Sequence, residues 1–244
     1  MTLIGLAYNQ KPEPSELASP VGEGDRQEDG QLARPDEEPP SRIFGLSIEQ
    51  LIARDQFAEW DAPATIAAVE SALAHLGEVV RLEATEDFPD RLRQTRPDIV
   101  FNIAEGFRGV NREAHVPAIC EFFGIPYAGS DPFTLTLCLD KARTKETLAF
   151  HGIPTPPFAV VENLADIEPR TASLKLPLFV KPLHEGSSKG ITDNNLCWDR
   201  KQLRAQTDFL LRNYDQPVLI EEYLPGKEFT CAVLGKETTL RFYR

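Results

Sequence analysis

The sequence predicts an α/β chain in two units, a Rossmann-like first domain over residues 1–131 and a smaller α+β domain over residues 132–244. Three observations carry that prediction. Before residue 131, short apolar runs alternate with amphipathic segments of helical length, as βαβ units on a parallel sheet require. A stiff turn, Gly152-Ile-Pro-Thr-Pro-Pro157, then marks a change of pattern. Beyond it come two strand-like runs, counting the first at Phe158, then one helix and two more strand-like runs, which suggests an antiparallel sheet.

Each element has a local reason. Leu3–Tyr8 reads as a short buried strand. From Lys11 to Arg42 there are six prolines, three glycines and nine acidic residues, with almost nothing large and apolar. Such a segment cannot bury enough surface to offset its ordering entropy, so residues 11–42 read as a disordered insert in the first βα connection. Asp61 is placed as an N-cap, with Pro63 in the first turn and Ile66, Val69, Leu73 and Leu76 on one helical face stopped by Gly77. Strands are expected at Val79–Leu82 and at Asp98–Ile103, the second following Pro97. Val116, Ile119, Cys120 and Phe123 form another stripe ended by Gly124. A helix from Pro132 to Phe150 leads to the stiff turn. Strands Phe158–Val161 and Leu178–Lys181 follow, then a helix capped by Asp199 with Leu203, Phe209 and Leu210 on its apolar side. Strands Val218–Tyr223 and Phe229–Leu234 come last, and no internal repeat is present.

Composition limits the function. Apolar residues at 41% and charged residues at 26% are ordinary for a soluble globular protein. A net charge of −12 argues against nucleic acid as a partner and against an anionic membrane surface. Cys120, Cys138, Cys197 and Cys231 form no CxxC pair and no Cys/His ligand spacing, so buried, reduced, chemically idle thiols are expected. The N-terminus lacks a basic leader region, and no stretch reaches the roughly 18–20 apolar residues of a membrane span, so the expected compartment is the cytoplasm.

Three segments carry chemistry. In Phe179-Val-Lys-Pro-Leu-His-Glu-Gly-Ser-Ser-Lys-Gly190 a lysine ends an apolar strand and a Gly/Ser loop follows. Free amides, hydroxyls and an ammonium suit a polyphosphate, although a surface turn beside a snorkelling lysine would look alike. The P-loop and GxGxxG spacings are both absent. In Val218-Leu-Ile-Glu-Glu-Tyr-Leu-Pro-Gly-Lys-Glu228, acids at a strand end could bond an adenine amino group and ribose hydroxyls, or could be solvated edge charges. In Leu139-Asp-Lys-Ala-Arg-Thr-Lys145, Lys141 could reach a phosphate or simply decorate a helix.

Together these segments resemble the ATP-grasp superfamily and, in finer detail, the D-alanine–D-alanine ligases. Phe123-Gly-Ile-Pro-Tyr-Ala-Gly-Ser130, Asp140-Lys141, Gly152-Ile-Pro-Thr-Pro156, the Lys-Pro…Glu-Gly-Ser-Ser loop and Glu-Glu-Tyr-Leu-Pro-Gly-Lys-Glu-Phe229 fall in that family's order and separations across about residues 60–235. The resemblance implies a Rossmann-like pre-ATP-grasp domain followed by an ATP-grasp subdomain. It assigns Lys141 and Lys181 to the α- and β-phosphates of ATP. The loop Glu185–Gly190 becomes a lid, with Gly186, Ser187 and Ser188 near the phosphates and Ser187 also catalytic and substrate-facing. Glu221 would accept from the adenine amino group, the backbone of Glu222 and Leu224 would bond the ring, and Glu228 would hold the ribose. His184 matches no family requirement and reads as a loop residue.

Three departures qualify the resemblance. No residue clearly supplies the early glutamate that binds the first substrate's amine. The family's His-Gly appears as Glu105-Gly106, and with Arg108, Asn111, Arg112 and Glu113 it forms a polar loop that is either an ion-paired surface loop or a face turned to the substrate, with Glu105 the substrate candidate. The family's ligands for Mg2+ would all lie downstream of Leu234, where Glu237 is the single acid. The expectation is therefore a missing C-terminal metal-binding part, an exposed apolar edge and impaired phosphoryl transfer. The implied activity is ATP-dependent joining of D-alanine to a second amino acid through an acyl phosphate, for peptidoglycan, by a homodimer formed through the first domain. The alternatives are a non-catalytic ATP-binding fragment and an ATP-grasp ligase of different substrate.

Overall fold

Four parallel strands build the first sheet in the order β2-β1-β3-β4: β1 (Leu3–Tyr8), β2 (Glu78–Glu83), β3 (Ile99–Asn102) and β4 (Tyr127–Ala128). The computed structural model describes residues 1–12, 52–53, 55–235 and 241–243. The insert expected over residues 11–42 lies outside them apart from Lys11 and Pro12. Residues Ile4–Tyr8 are all buried, as a central strand covered on both faces must be.

The helix α1 (Pro63–Leu73) starts at the predicted proline but without the predicted cap. Asp61 instead extends the chain beside the end of β1. Its amide donates to the Asn9 carbonyl at 2.9 Å, and its carbonyl accepts from Lys11 at 2.8 Å. The helix also ends early, so Leu76 falls beyond it and is 73% exposed rather than part of the apolar face. The helix α2 (Phe88–Thr95) is absent from the sequence reading; its apolar face is only Phe88 and Leu92, spaced i,i+4 and fully buried. The expected helix before Gly124 is α3 (His115–Phe123), and Gly124 closes it at φ 67°, a left-handed cap that a side chain would strain.

The single helix expected over residues 132–150 is two, α4 (Pro132–Leu139) and α5 (Lys141–Phe150). Asp140 divides them. Its backbone is extended, and its Oδ1 accepts from the amides of Ala142 and Arg143 at 3.0 Å each. A side-chain cap of this kind starts a helix and cannot sit inside one. The break sets Lys141 at the first turn of α5.

The second sheet is antiparallel, in the order β5-β8-β6-β7, from β5 (Phe158–Val161), β6 (Leu178–Pro182), β7 (Leu196–Cys197) and β8 (Val218–Glu222). The short helix α6 (Ile167–Thr171) and the long α7 (Arg200–Tyr214) cover one face. Asp199 caps α7 as expected, accepting from the Gln202 amide at 2.8 Å. Strand alternation divides β8: Val218 and Ile220 join Leu203 and Leu210 in the core under α7, while Leu219 packs with Ala142 and Leu183 on the other face. Glu221 shares that second face.

The last expected strand is shorter than read. It is β9 (Ala232–Leu234), paired with β10 (Arg241–Tyr243) outside the four-stranded sheet, and Phe229 is 88% exposed. Two thiols match the expectation and two do not: Cys120 and Cys197 are buried, which pushes each up to about 11, whereas Cys138 and Cys231 are exposed. Among the described residues no helix is long and apolar enough to cross a membrane.

Candidate nucleotide-binding site

Lys141 from the start of α5 and Lys181 from the end of β6 line one open cavity of about 220 Å3 together with Glu185 and the loop 186–189. The Lys141 ammonium donates to the Leu183 carbonyl at 3.3 Å and to the Glu185 carbonyl. Burial, then the like charge of Lys181, pulls Lys141 down to about 8. The loop itself is strained. Ser187 and Ser188 have φ of 45° and 60°, left-handed values that cost non-glycine residues about 1 kcal/mol or more each. Its turns are held by bonds from Lys189 to Gly186 at 2.9 Å and from Ile191 to Ser188 at 3.1 Å. At its far end the Gly190 amide donates to Asp55 Oδ2 at 2.8 Å.

Glu221 stands at the back of this site, 9% exposed. Its Oε2 accepts from Lys145 at 2.6 Å and its Oε1 pairs with Lys181. Burial opposes its ionisation, but the two lysines outweigh burial and hold the carboxyl below the usual range.

A second buried network ties the loop to the first sheet's side of the chain. Arg112 Nη2 donates to both Glu59 oxygens, at 2.9 and 3.0 Å, and to Glu185 Oε2 at 2.9 Å. Lys189 pairs with Glu59 at 2.9 Å and with Glu185 at 3.3 Å. The Gly186 amide donates to Glu59 Oε1 at 2.8 Å. Two acids and two cations thus balance in a place where unpaired charge would be costly.

Glu105 lies beside this network without such compensation. Burial, then the charges of Glu113 and Glu59, push it up to about 7 against the pull of Arg112. Gly106 next to it has φ 83°, and a Cβ there would stand 2.2 Å from the Arg112 carbonyl, so only glycine fits. Its amide donates to Asn9 Oδ1 at 2.9 Å, and its carbonyl accepts from Trp60 Nε1 at 3.2 Å.

The structure brings together Lys141, Lys181, Glu185, Gly186, Ser187 and Ser188, with Glu221 bonded to Lys181. It does not bring Glu222, Leu224 or Glu228 to the cavity. The Glu222 amide donates to the Pro157 carbonyl at 3.0 Å, and its Oε1 accepts from the Lys175 amide at 2.9 Å. Leu224 is 66% exposed, and Glu228 is exposed in a segment without regular structure. His184 faces Asp140, with Nε2 at 3.4 Å from Oδ2 and Nδ1 buried without a partner. The sequence reading misses Glu59, Lys145, Lys189 and Gln216, whose amide donates to Glu185 Oε1 at 2.8 Å. A signal existed for Lys145, which follows Lys141 by four residues and shares its helix face. Among the described residues no group of three or more His, Cys, Asp or Glu could hold a metal ion.

An antiparallel sheet with a strand-end lysine, a hydroxyl-rich loop and a second lysine on a preceding helix is the arrangement that the resemblance to ATP-grasp proteins implies. Residues 148–242 match the family model described as D-ala D-ala ligase C-terminus. A D-alanine--D-alanine ligase of Pseudomonas entomophila is 38% identical over 169 residues, 69% of this chain and 51% of that protein. The D-Ala:D-Ser ligase VanG of Enterococcus faecalis shares the fold with a TM-score of 0.61 at 20% identity, over 100% of this chain and 68% of that one. The D-alanine--D-alanine ligase of Bacillus anthracis complexed with ATP gives 0.55 at 20% identity, over 95% and 62%. The similarity to D-alanine–D-alanine ligases is carried by residues 148–242 in the family model and by 69% of this chain in the Pseudomonas relative, and the chain spans about half the length of the curated relatives it matches.

Proposed function

We propose that this chain binds ATP in the cavity between Lys141 and Lys181 and supplies the nucleotide side of an ATP-dependent carboxylate–amine ligase acting on D-alanine. The observation that carries the reading is the convergence of two lysines from separate elements on one cavity under a Gly/Ser loop. Two ammonium groups, one of them half-desolvated, suit the α- and β-phosphates. Ser187 and Ser188 present hydroxyls to the γ-phosphate and the substrate, and Glu185 and Gly186 anchor the loop that keeps water out. Glu221 is the acceptor for the adenine amino group. The backbone of Glu222 and Leu224 and the side chain of Glu228 would complete the base and ribose contacts once residues 223–231 close over the nucleotide.

In that reading the D-alanine carboxylate attacks the γ-phosphorus, forming an acyl phosphate and releasing ADP. The amine of the second amino acid then attacks the acyl carbon, and inorganic phosphate leaves. Glu105 would face the first substrate, beside the buried Glu59 that holds the Gly186 amide. The protein would work in the cytoplasm as a homodimer. Mg2+ would neutralise charge between β- and γ-phosphates, and the described residues hold no cluster suited to it.

The test is phosphate release from Mg-ATP by the purified chain, with and without D-alanine, beside a Lys181→Ala control. D-alanine-dependent release that disappears in the control supports the ligase reading. ATP binding without release supports nucleotide binding alone, and absence of both overturns the site.

A further inference from the structure

Glu221 has two ammonium partners where one would neutralise it. Lys145 from α5 takes Oε2 at 2.6 Å, and Lys181 from β6 takes Oε1. The cross-strand neighbours of Glu221 are Phe158 on β5 and Phe179 on β6. Each lysine lies over one of these rings, Lys145 at 5.2 Å from the Phe158 centroid and Lys181 at 5.9 Å from that of Phe179. A carboxylate in such apolar company requires a counter-ion at all times.

The two lysines differ in what else they face. Lys181 lines the cavity beside Lys141, and its side chain is 24% exposed. Lys145 does not line the cavity, and its side chain is 9% exposed. Only Lys181 can turn to a phosphate without leaving the protein interior.

We propose that Lys145 is the permanent counter-ion and positioning residue of Glu221, and that Lys181 exchanges from Glu221 to the phosphates when ATP enters. The inference rests on the nucleotide reading above. As Lys181 leaves, Oε1 becomes free to accept from the purine amino group, and Lys145 keeps the carboxylate charged and oriented. Without Lys145 the departing Lys181 would strand a buried carboxylate, which would take up a proton. A protonated carboxyl donates as well as accepts, so it no longer prefers a 6-amino over a 6-oxo purine.

Calorimetric titration of the full chain with ATP and with GTP between about pH 6 and pH 8 tests this. Lys145 and Lys181 are the charged groups facing Glu221; β5 and β6 add only Phe158 and Phe179 beside it. Lys141 and Glu105 also titrate in this range but do so in every variant, so the quantity read is the ratio of variant to wild-type Kd. In Lys145→Met the ATP ratio should be about tenfold near pH 8 and shrink toward pH 6, with the preference for ATP over GTP reduced. Lys145→Arg should restore both. A folded Lys145→Met with a ratio near one throughout overturns the inference. Should Lys145→Met not fold, Lys145→Met/Glu221→Gln removes both charges and is compared with Glu221→Gln. A flat ratio near one is then expected, and a pH-dependent ratio overturns the exchange. Failure of wild-type ATP binding, or its survival in Lys181→Ala, would instead overturn the nucleotide reading itself.

Discussion

Arg112 holds Glu59 through both carboxylate oxygens, at 2.9 and 3.0 Å, and with the same Nη2 reaches Glu185 in the Ser187/Ser188 loop. The pair is 10% and 2% exposed at its side chains, so solvent does little to screen it. Burial opposes ionisation of Glu59, yet Lys189 and Arg112 hold its carboxyl below the usual range. Arg112→Met should therefore lower stability by about 3 kcal/mol, the typical result of leaving a buried charge half-paired. Urea unfolding at neutral pH measures it. Because the folded Glu59 titrates low, its contribution is complete above the ordinary carboxylate range and fades as pH falls through its depressed value. The gap between wild type and Arg112→Met should narrow in acid, and a gap that widens there would contradict the assignment.

Glu105 has the opposite sign. Its folded value of about 7 lies above the ordinary one, so the folded chain binds more protons than the unfolded chain between the two. Stability from this group is complete in acid and is lost as pH rises through about 7. Glu105→Gln removes the ionisation. It should be more stable than wild type near pH 8 by about 2 kcal/mol and close to it near pH 5. Chemical unfolding at the two pH values decides the matter, and a constant difference would mean that Glu105 ionises freely in the fold.

Lys141 sets a pH limit on nucleotide binding. Its ammonium, drawn down to about 8 by burial and by Lys181, is charged below that value and neutral above it. ATP affinity should fall as pH rises past about 8, by up to about tenfold for one charge-assisted contact. In Lys141→Arg the fall should vanish, since a guanidinium stays charged. A titration series against pH reads both, and equal slopes in the two proteins would remove Lys141 from the phosphate site.

Much of this site is written locally, and what is not local is what the sequence hides. Lys181 and the Ser187/Ser188 loop follow each other in the chain, so a strand-end lysine and its loop are legible in one window. Asp199 as a cap and Gly124 as a stop are equally local and take their expected places. Glu59 is different. It bonds the Gly186 amide across 127 positions of chain, and nothing in its own neighbourhood marks it. Asp140 misleads for a related reason. No proline or glycine lies between Pro132 and Phe150 to mark a break, and only the turn of the Asp140 side chain onto Ala142 and Arg143 divides the helix. The α2 helix escapes notice because two buried residues make a stripe too thin for periodicity to register.

Ser187 and Ser188 offer a test in which stability and function move apart. At φ 45° and 60° both occupy backbone space that glycine enters freely and serine does not. A loop with no use for the hydroxyls would lose nothing by carrying glycine there. Ser188→Gly should relieve strain and raise the melting temperature by a few degrees, an increment of about 1 kcal/mol. In the ligase reading the same change removes a hydroxyl aimed at the phosphates and loosens the loop that excludes water, so D-alanine-dependent phosphate release should fall at least about tenfold. Thermal unfolding and the release assay on one preparation give both numbers. A variant that is stabilised and fully active would show that the strain at Ser188 serves no chemistry, and the loop's role would then rest on its backbone amides alone.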